Sequence, residues 1–376
     1  MKKNIIFINA LSAKLGGGRT YLINLLSYHT DSNVLIYVAC PDKSMLPDSD
    51  NIRYVETPLA NRNILFRAFW ELIILPRLLL KLNIDTLFVP GGMDFTLSNI
   101  KYAKVTMFRN MLPFDSLALS SIKDKRLIIK NRILKMLMIR TMNSADHVIF
   151  ISNYAKKSVS KYLSLKGGST IYHGIAPNFM PNNKNDCSQL IPQCDYILYV
   201  SRFEQYKNHL NVIKAYNKLS SSLKAKYRLI IVGEKMEPSY SECVDYIKLN
   251  KLDSYVEIKG KVPYQSLPTL YQNAYISVFA SSCENCPNIL LEAIGCGAAV
   301  ITSKTEPMPE FAKDAALYFD ELNPESIHQK LEYVLNCENK VKKMREKSIA
   351  LRGEYMWKNT ASLTWQCLNT TGEKNV

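Results

Sequence analysis

Twelve short apolar runs, arranged as two series of six, set the tightest limit on how this chain can fold. The first series reads "NIIFINA", "VLIYVA", "IRYVET", "DTLFVP", "AKVTMF" and "HVIFIS". Most of these runs are continuously apolar, the pattern of strands buried on both faces, as in a parallel sheet. Helical stretches at 19–28, 62–82 and 117–143 lie between several of them. The second series reads "YILYVS", "YRLIIVG", "YVEIKG", "YISVFA", "AAVITS" and "ALYFD", with helices expected near 209–220, 240–250, 287–296 and 325–336. The segment between the series, 176–195, is rich in Pro, Asn and Asp and reads as a linker. After the last run only helical sequence follows, from Asn339 to about Leu368, with Trp357 and Trp365 eight positions apart and so able to share one buried face.

Two β/α series joined by a linker predict an α/β chain of two doubly wound, Rossmann-like parallel-sheet domains. A length of 376 residues suits two domains of ordinary size. The expected division is 1–175, a linker over 176–195, then 196–354, with 355–376 as a terminal helix. Such sheets take ligands at the carboxyl ends of their strands, so a cleft between the two domains is the expected site.

Charge is uneven. The formal net charge is +15, and residues 1–180 hold 24 Lys and Arg against 11 Asp and Glu. A basic first half calls for an anionic partner: nucleic acid, a phosphorylated substrate or an anionic membrane surface. The stretch 122–140 has seven bases and one acid among bulky apolar residues, as in a helix lying on an anionic bilayer. Bases and apolar residues mix around its wheel, so core packing with a solvated basic edge is the competing reading. Nine scattered cysteines and no visible secretory signal point to reduced thiols and a cytoplasmic location, at the inner face of the membrane if the bilayer contact holds.

The stretch "SSCENCPNILLEAIGCGAAVITS" carries two candidate pairs. Cys283 and Cys286 have CxxC spacing, but no second pair or nearby histidine completes a zinc site, and the chain is far too long for a thioredoxin-like fold; incidental thiols are the simplest reading. Glu284 falls in the loop after "YISVFA", Pro287 suits a first helical position, and Glu292 lies one to two turns into the helix. The amides of Asn288 and Ile289 then open that helix, which makes its start a ready anion site. Carboxylates beside an anion site suit a ligand with both hydroxyls and phosphates, such as a nucleotide sugar. The plain alternative is a pair of solvated helix charges.

In its context, "ENCPNILLEAIGCGAAVITS" resembles the E-x7-E signature of the family 4 retaining glycosyltransferases, the group 1 glycosyl transferases of GT-B fold and bacterial surface-polysaccharide type. Other landmarks follow the same order: "NALSAKLGGGRTYLINLL", "HVIFISNYAKKSV", "TIYHGI", "YILYVSRFEQYKNHLNVIKAY" and "VEIKGKVPYQSLPTLYQNAYISVFASS". The resemblance implies an acceptor-binding first domain, a nucleotide-sugar-binding second domain and a terminal helix that crosses back to the first. It implies hexosyl transfer from a UDP- or GDP-linked sugar, by front-face displacement with retention, without metal or cofactor. The acceptor would be a glycan, carried on a lipid diphosphate, for O-antigen, capsule or lipopolysaccharide. Glu284, Arg202 and Lys207 would be catalytic. Gly16, Gly17, Val262, Asn288, Ile289 and Glu292 would join them in holding the donor, with Glu284 on the sugar and Glu292 on the ribose. Relatives often have glycine where Pro287 stands, so one donor N–H is missing here. Where many carry a histidine, this chain has Arg109 and Asn110, assigned to the acceptor side; an arginine stays protonated and cannot serve as a base.

Two rivals remain at this level. A basic nucleic-acid-binding protein fits the charge, but no readout module or interleaved aromatic–basic stripe is present. A phosphorylase- or hydrolase-like enzyme on the same fold would be separated by its products.

Overall fold

The computed structural model describes residues 3–14, 16–96, 101–122, 124–180 and 191–373. The chain forms two compact units. One comprises Met1–Phe114, Asp124–Gly174 and Met356–Val376; the other comprises Asp115–Lys123 and Ile175–Tyr355. Half of the linker expected at 176–195, residues 181–190, lies outside the described residues.

The first unit holds seven parallel strands: β1 (Asn4–Asn9), β2 (Val34–Ala39), β3 (Ile52–Tyr54), β4 (Thr86–Val89), β5 (Ala103–Phe108), β6 (His147–Phe150) and β7 (Gly168–Thr170), in the order β3-β2-β1-β4-β5-β6-β7. The second holds six: β8 (Tyr196–Val200), β9 (Arg228–Val232), β10 (Val256–Gly260), β11 (Ile276–Phe279), β12 (Val300–Ser303) and β13 (Ala316–Phe319), in the order β10-β9-β8-β11-β12-β13. Both are doubly wound α/β sheets. Each reverses direction once, between β1 and β4 and between β8 and β11, and the crevice beyond the strand ends at such a reversal is where these sheets bind ligands. All twelve apolar runs became strands. The thirteenth, β7, is a three-residue Gly-Ser-Thr edge with no apolar run to announce it.

In the first unit, α1 (Gly17–Ser27) follows β1. It begins two residues before the expected Arg19, because Gly16 takes a φ of 60° at its N-cap, which a residue without Cβ adopts freely. The expected helix at 62–82 is broken into α2 (Ile64–Phe69), a π turn at Trp70–Ile74 and α3 (Leu75–Lys81). Pro76 has no N–H to continue a regular ladder, and the widened turn absorbs the mismatch. The expected helix at 117–143 is two: α4 (Ser116–Ser121), capped by Asp115 and part of the second unit, and α5 (Lys125–Asn143) of the first, capped by Asp124 accepting from the Arg126 N–H. Two capping aspartates nine positions apart each start a helix of their own. After α6 (Asn153–Ser160), the second unit carries α7 (His209–Asn217), α8 (Ser221–Lys226), α9 (Ser239–Leu249), α10 (Leu267–Asn273), α11 (Asn288–Gly295), α12 (Met308–Ala312), α13 (Pro324–Leu335) and α14 (Glu338–Leu351). The last helix, α15 (Trp357–Glu373), belongs to the first unit and packs on α1. The Trp365 Nε1–H donates to the Leu25 carbonyl at 3.1 Å, and Tyr21 and Thr364 share a hydrogen bond of 3.1 Å.

Strand residues alternate between the two helical layers. Phe7, Leu87 and Val89 join Trp70, Leu75 and Leu79 in one core, while Phe88, between Leu87 and Val89, meets Tyr21 of α1 on the opposite face. Two ionised groups sit inside the first layer. The Glu71 carboxylate accepts from Arg67 Nε (2.8 Å), Asn9 Nδ2 (2.9 Å) and the Phe95 N–H (2.9 Å). The fully buried Lys104 ammonium donates to Asp94 Oδ1 (2.8 Å), the Thr96 carbonyl (3.0 Å) and Ser144 Oγ (3.1 Å). Replacing Lys104 by Met strands the Asp94 carboxylate in the core and is expected to cost about 3–5 kcal/mol, whereas Lys104→Met with Asp94→Leu regains most of the loss. Denaturant unfolding of the two variants checks this.

Candidate active site

The site in the second unit is built from loops at the carboxyl ends of β8, β10 and β11. After β8 the chain turns through Arg202 to Lys207 and enters α7. The turn is held from below by His209, stacked between Tyr199 and Phe203 with ring centroids 4.6 and 4.2 Å away. Burial pushes His209 down to about 3, so it is neutral and structural. Asn208 adopts a left-handed φ of 54°, tolerated by asparagine, and its side-chain amide donates to the Ala280 carbonyl at 2.8 Å. The Ser282 N–H donates to the Tyr206 carbonyl at 2.8 Å. These two bonds pin the β8 loop to the β11 loop.

Pinning brings Lys207 to Glu284. The buried Lys207 ammonium pairs with Glu284 Oε1 and stands 5.1 and 5.4 Å from the ring centroids of Tyr206 and Phe279. An ammonium between aromatic faces with one carboxylate partner is largely desolvated, which strengthens its field on any anion that reaches it. Arg202 is placed differently. It is half exposed and pairs with Glu234 at 3.0 Å and Glu204 at 3.7 Å, so the two bases do not stand as one clamp in this state.

Pro287 is the N-cap of α11 rather than its first residue. The expectation that the Asn288 amide opens outward is corrected: its N–H donates to the Cys286 carbonyl at 2.9 Å, because the turn folds back before the helix starts. Ile289 follows in the first turn of α11. Cys283 and Cys286 are buried, and the Cys283 thiol, pushed up by burial, bonds to Asp115, the cap of α4. That neighbour comes from far away in sequence, and no local spacing announced it.

Glu292 projects from α11 toward the loop after β10, where Val262 is half-buried. The Tyr264 hydroxyl donates to Glu292 Oε1 at 2.8 Å. Burial pushes the Glu292 carboxyl up to about 7, and the Tyr264 bond opposes the rise. Tyr264 went unnoticed in the sequence, since a tyrosine after Val-Pro carries no signal; only the fold puts it beside Glu292. A folded-state value above the ordinary 4.5 means that the native state holds this proton more tightly than the unfolded chain. The contribution to stability is complete below about 4.5 and is lost as pH rises to about 7. Glu292→Gln is expected to flatten that slope. Tyr264→Phe removes a charge-assisted bond and is expected to move the midpoint up by about one pH unit, read from the 13C resonance of the Glu292 carboxyl.

In the first unit, Gly16 is the N-cap of α1 and Gly17 its first residue, where the chain leaves β1. A Cβ added at Gly18 would lie 3.8 Å from Arg109 Nη1, and the Arg109 guanidinium stands 5.4 Å over the Tyr21 ring. The fold therefore brings Arg109 to the glycine loop. Asn110 is exposed, and its side chain accepts from the Leu112 N–H at 3.2 Å within its own turn.

Comparison with known proteins accords with these two units. Residues 186–350 match the model for glycosyl transferases group 1, and residues 15–179 match that for glycosyltransferase family 4. Over 233 residues the chain is 22% identical to the O-antigen chain mannosyltransferase B of Escherichia coli, covering 60% of this chain and 60% of that curated relative's length. Two solved structures superpose on nearly the whole chain. Anabaena Alr3699/HepE in complex with UDP and glucose gives a TM-score of 0.73 at 15% identity, covering 98% of this chain and 100% of that one. WaaG, a glycosyltransferase involved in lipopolysaccharide biosynthesis, gives 0.71 at 14%, covering 97% and 99%. With both halves matched by adjoining family models and with two doubly wound parallel sheets, the chain belongs to the family 4, or group 1, glycosyltransferases of the GT-B fold.

Proposed function

We propose that this chain moves a hexosyl unit from a UDP- or GDP-linked sugar to a glycan acceptor, carried on a lipid diphosphate, during surface-polysaccharide synthesis, with the anomeric configuration retained. The observation that carries this reading is the buried Lys207 ammonium paired with Glu284 at the β8–β11 reversal. In the transfer step an acceptor hydroxyl oxygen bonds to the anomeric carbon on the face that the diphosphate leaves, and its proton passes to the departing phosphate oxygen. Negative charge builds on that oxygen, and Lys207, aided by Arg202, stabilises it; a fixed cation in a dry site acts without reorganising. Glu284 accepts hydroxyls of the donor sugar, and Glu292, exchanging its Tyr264 partner, accepts those of the ribose. Val262 and the Ile289 amide line the donor side. Arg109 and Asn110 of the first unit are assigned to the acceptor. The relatives named for O-antigen mannosyl transfer and for complexes with UDP and glucose support the donor class.

A thermal-shift panel of UDP-, GDP- and ADP-sugars tests the reading. One donor at about 100 times its Kd adds about 2.7 kcal/mol of stability. The wild type is expected to shift with one base class and Glu292→Ala with none; a wild type that shifts with no nucleotide sugar refutes the proposal.

A further inference from the structure

The two candidate carboxylates are satisfied in different ways. Glu284 is held by a cation, the Lys207 ammonium. Glu292 is held by a neutral hydroxyl. Among the described residues, Tyr264 is the one side chain bonded to its carboxylate, at 2.8 Å to Oε1. A phenol hydroxyl donates to a carboxylate as a ribose hydroxyl does. The contact therefore occupies the acceptor that the donor reading assigns to the ribose.

Tyr264 is built to let go. Its main chain is fixed: Pro263 precedes it, and its carbonyl accepts from the Leu267 N–H where α10 begins. The side chain is held more lightly. With 43% of the residue's surface open, the ring keeps an edge contact to Phe179, centroids 5.2 Å apart, and the bond to Glu292. Phe179 is fully buried and meets Tyr271 in turn at 6.1 Å, so the anchor behind Tyr264 is rigid while Tyr264 itself is not. One aromatic edge contact and one hydrogen bond are a weak hold on an exposed ring, and a change of χ1 rotamer frees the carboxylate without moving the backbone.

Such a bond has a definite effect on a ligand. A carboxylate already bonded in the empty site gains less when ligand hydroxyls arrive, because one of the bonds they make replaces one already present. A vicinal diol brings two donors to the two carboxylate oxygens, so a ribose exchanges one bond for two. When the nucleotide leaves, the tyrosine returns and the carboxylate is not left without a partner. We infer that Tyr264 competes with the ribose for Glu292, and so sets how tightly the nucleotide is held and how readily the nucleoside diphosphate product is released. The inference deepens, and rests on, the reading of Glu292 as the ribose acceptor. Competition differs from support in direction. A tyrosine that only orients Glu292 or pads the site weakens binding, or leaves it unchanged, when its hydroxyl is removed; a competitor tightens it.

Calorimetric titration of the full chain with UDP and with GDP, each beside its 2′,3′-dideoxy counterpart, tests this. At about pH 8.5 Glu292 is ionised in wild type and, with its midpoint about one unit higher, mostly ionised in Tyr264→Phe. That variant keeps the ring and its contact with Phe179 and removes only the hydroxyl. It is expected to bind the ribonucleotide that wild type binds about tenfold more tightly, the usual contribution of one hydrogen bond to a charged group. The dideoxy counterpart brings no hydroxyl to Glu292 and is expected to bind wild type and variant equally. Product inhibition of transfer by the same nucleoside diphosphate is expected to strengthen by the same factor. Equal or weaker binding of the ribonucleotide by Tyr264→Phe overturns the inference and leaves the donor reading standing. So does a gain shared equally by the dideoxy nucleotide, since the hydroxyl then acts on something other than the ribose. Binding of neither UDP nor GDP, by wild type or variant, overturns the inference and the donor reading together.

Discussion

Lys207→Ala is expected to lower kcat for sugar transfer by about a thousandfold, since a preorganised group aimed at developing charge is worth about 10²–10³ in rate. The side chain is buried, flanked by two aromatic faces, and its carboxylate partner Glu284 is itself mostly enclosed. Its removal deletes the cation and leaves Glu284 without its ion-pair partner. Arg202 gives the contrast. It is half exposed and already shares Glu234 and Glu204, so water screens it and Arg202→Ala is expected to cost only about tenfold. Steady-state kinetics with the true donor check both, and the prediction requires the loss in Lys207→Ala to appear in kcat as well as in KM. Equal small losses in the two variants would mean that Lys207 only supports the loop.

Removal of every residue after Gly353 is expected to unfold the first unit. The deleted α15 buries Trp357, Ala361, Trp365 and Leu368 against that unit. Gly174 approaches Trp357 so closely that an added Cβ would lie 2.4 Å from its backbone nitrogen. Loss of a buried tryptophan alone costs about 3–5 kcal/mol, and two of them rival the whole stability of an ordinary domain, about 5–15 kcal/mol. Amide hydrogen exchange of the truncated chain is expected to lose protection in β1, β4 and β5 while β8, β9 and β11 keep theirs. Uniform protection in both units would show that α15 is dispensable.

Twelve of the strands were legible because most of their runs are continuously apolar, the pattern of a doubly covered sheet, whereas the Gly-Ser-Thr strand β7 carries no such run. The helices were legible in place but not in extent. Asp124 reads as one acid in a basic stretch until its side chain is seen capping α5, and Pro76 gives no sign that the turn before it widens to a π turn. Nothing in the sequence marks Glu71 and Lys104 as buried charges, because the partners that make their burial tolerable, Asn9 for one and Asp94, Thr96 and Ser144 for the other, are scattered along the chain. The same limit applies at the candidate site. The spacing of Glu284 and Glu292 showed that two carboxylates flank a helix start, yet their hydrogen-bonded neighbours, Lys207 and Tyr264, come from other strand ends. Local spacing records periodicity and caps; contacts made by folding are absent from it.

The central claim is retaining transfer from a nucleotide sugar, and the anomeric configuration of the product tests it most directly. With the donor identified by thermal shift, transfer to a soluble acceptor is followed by one-bond and three-bond proton couplings at the new anomeric centre. An α-linked nucleotide sugar is predicted to give an α-linked glycoside, with formation abolished in Glu284→Ala and Glu292→Ala. A β-linked product, or free sugar and sugar phosphate in place of a glycoside, would contradict it.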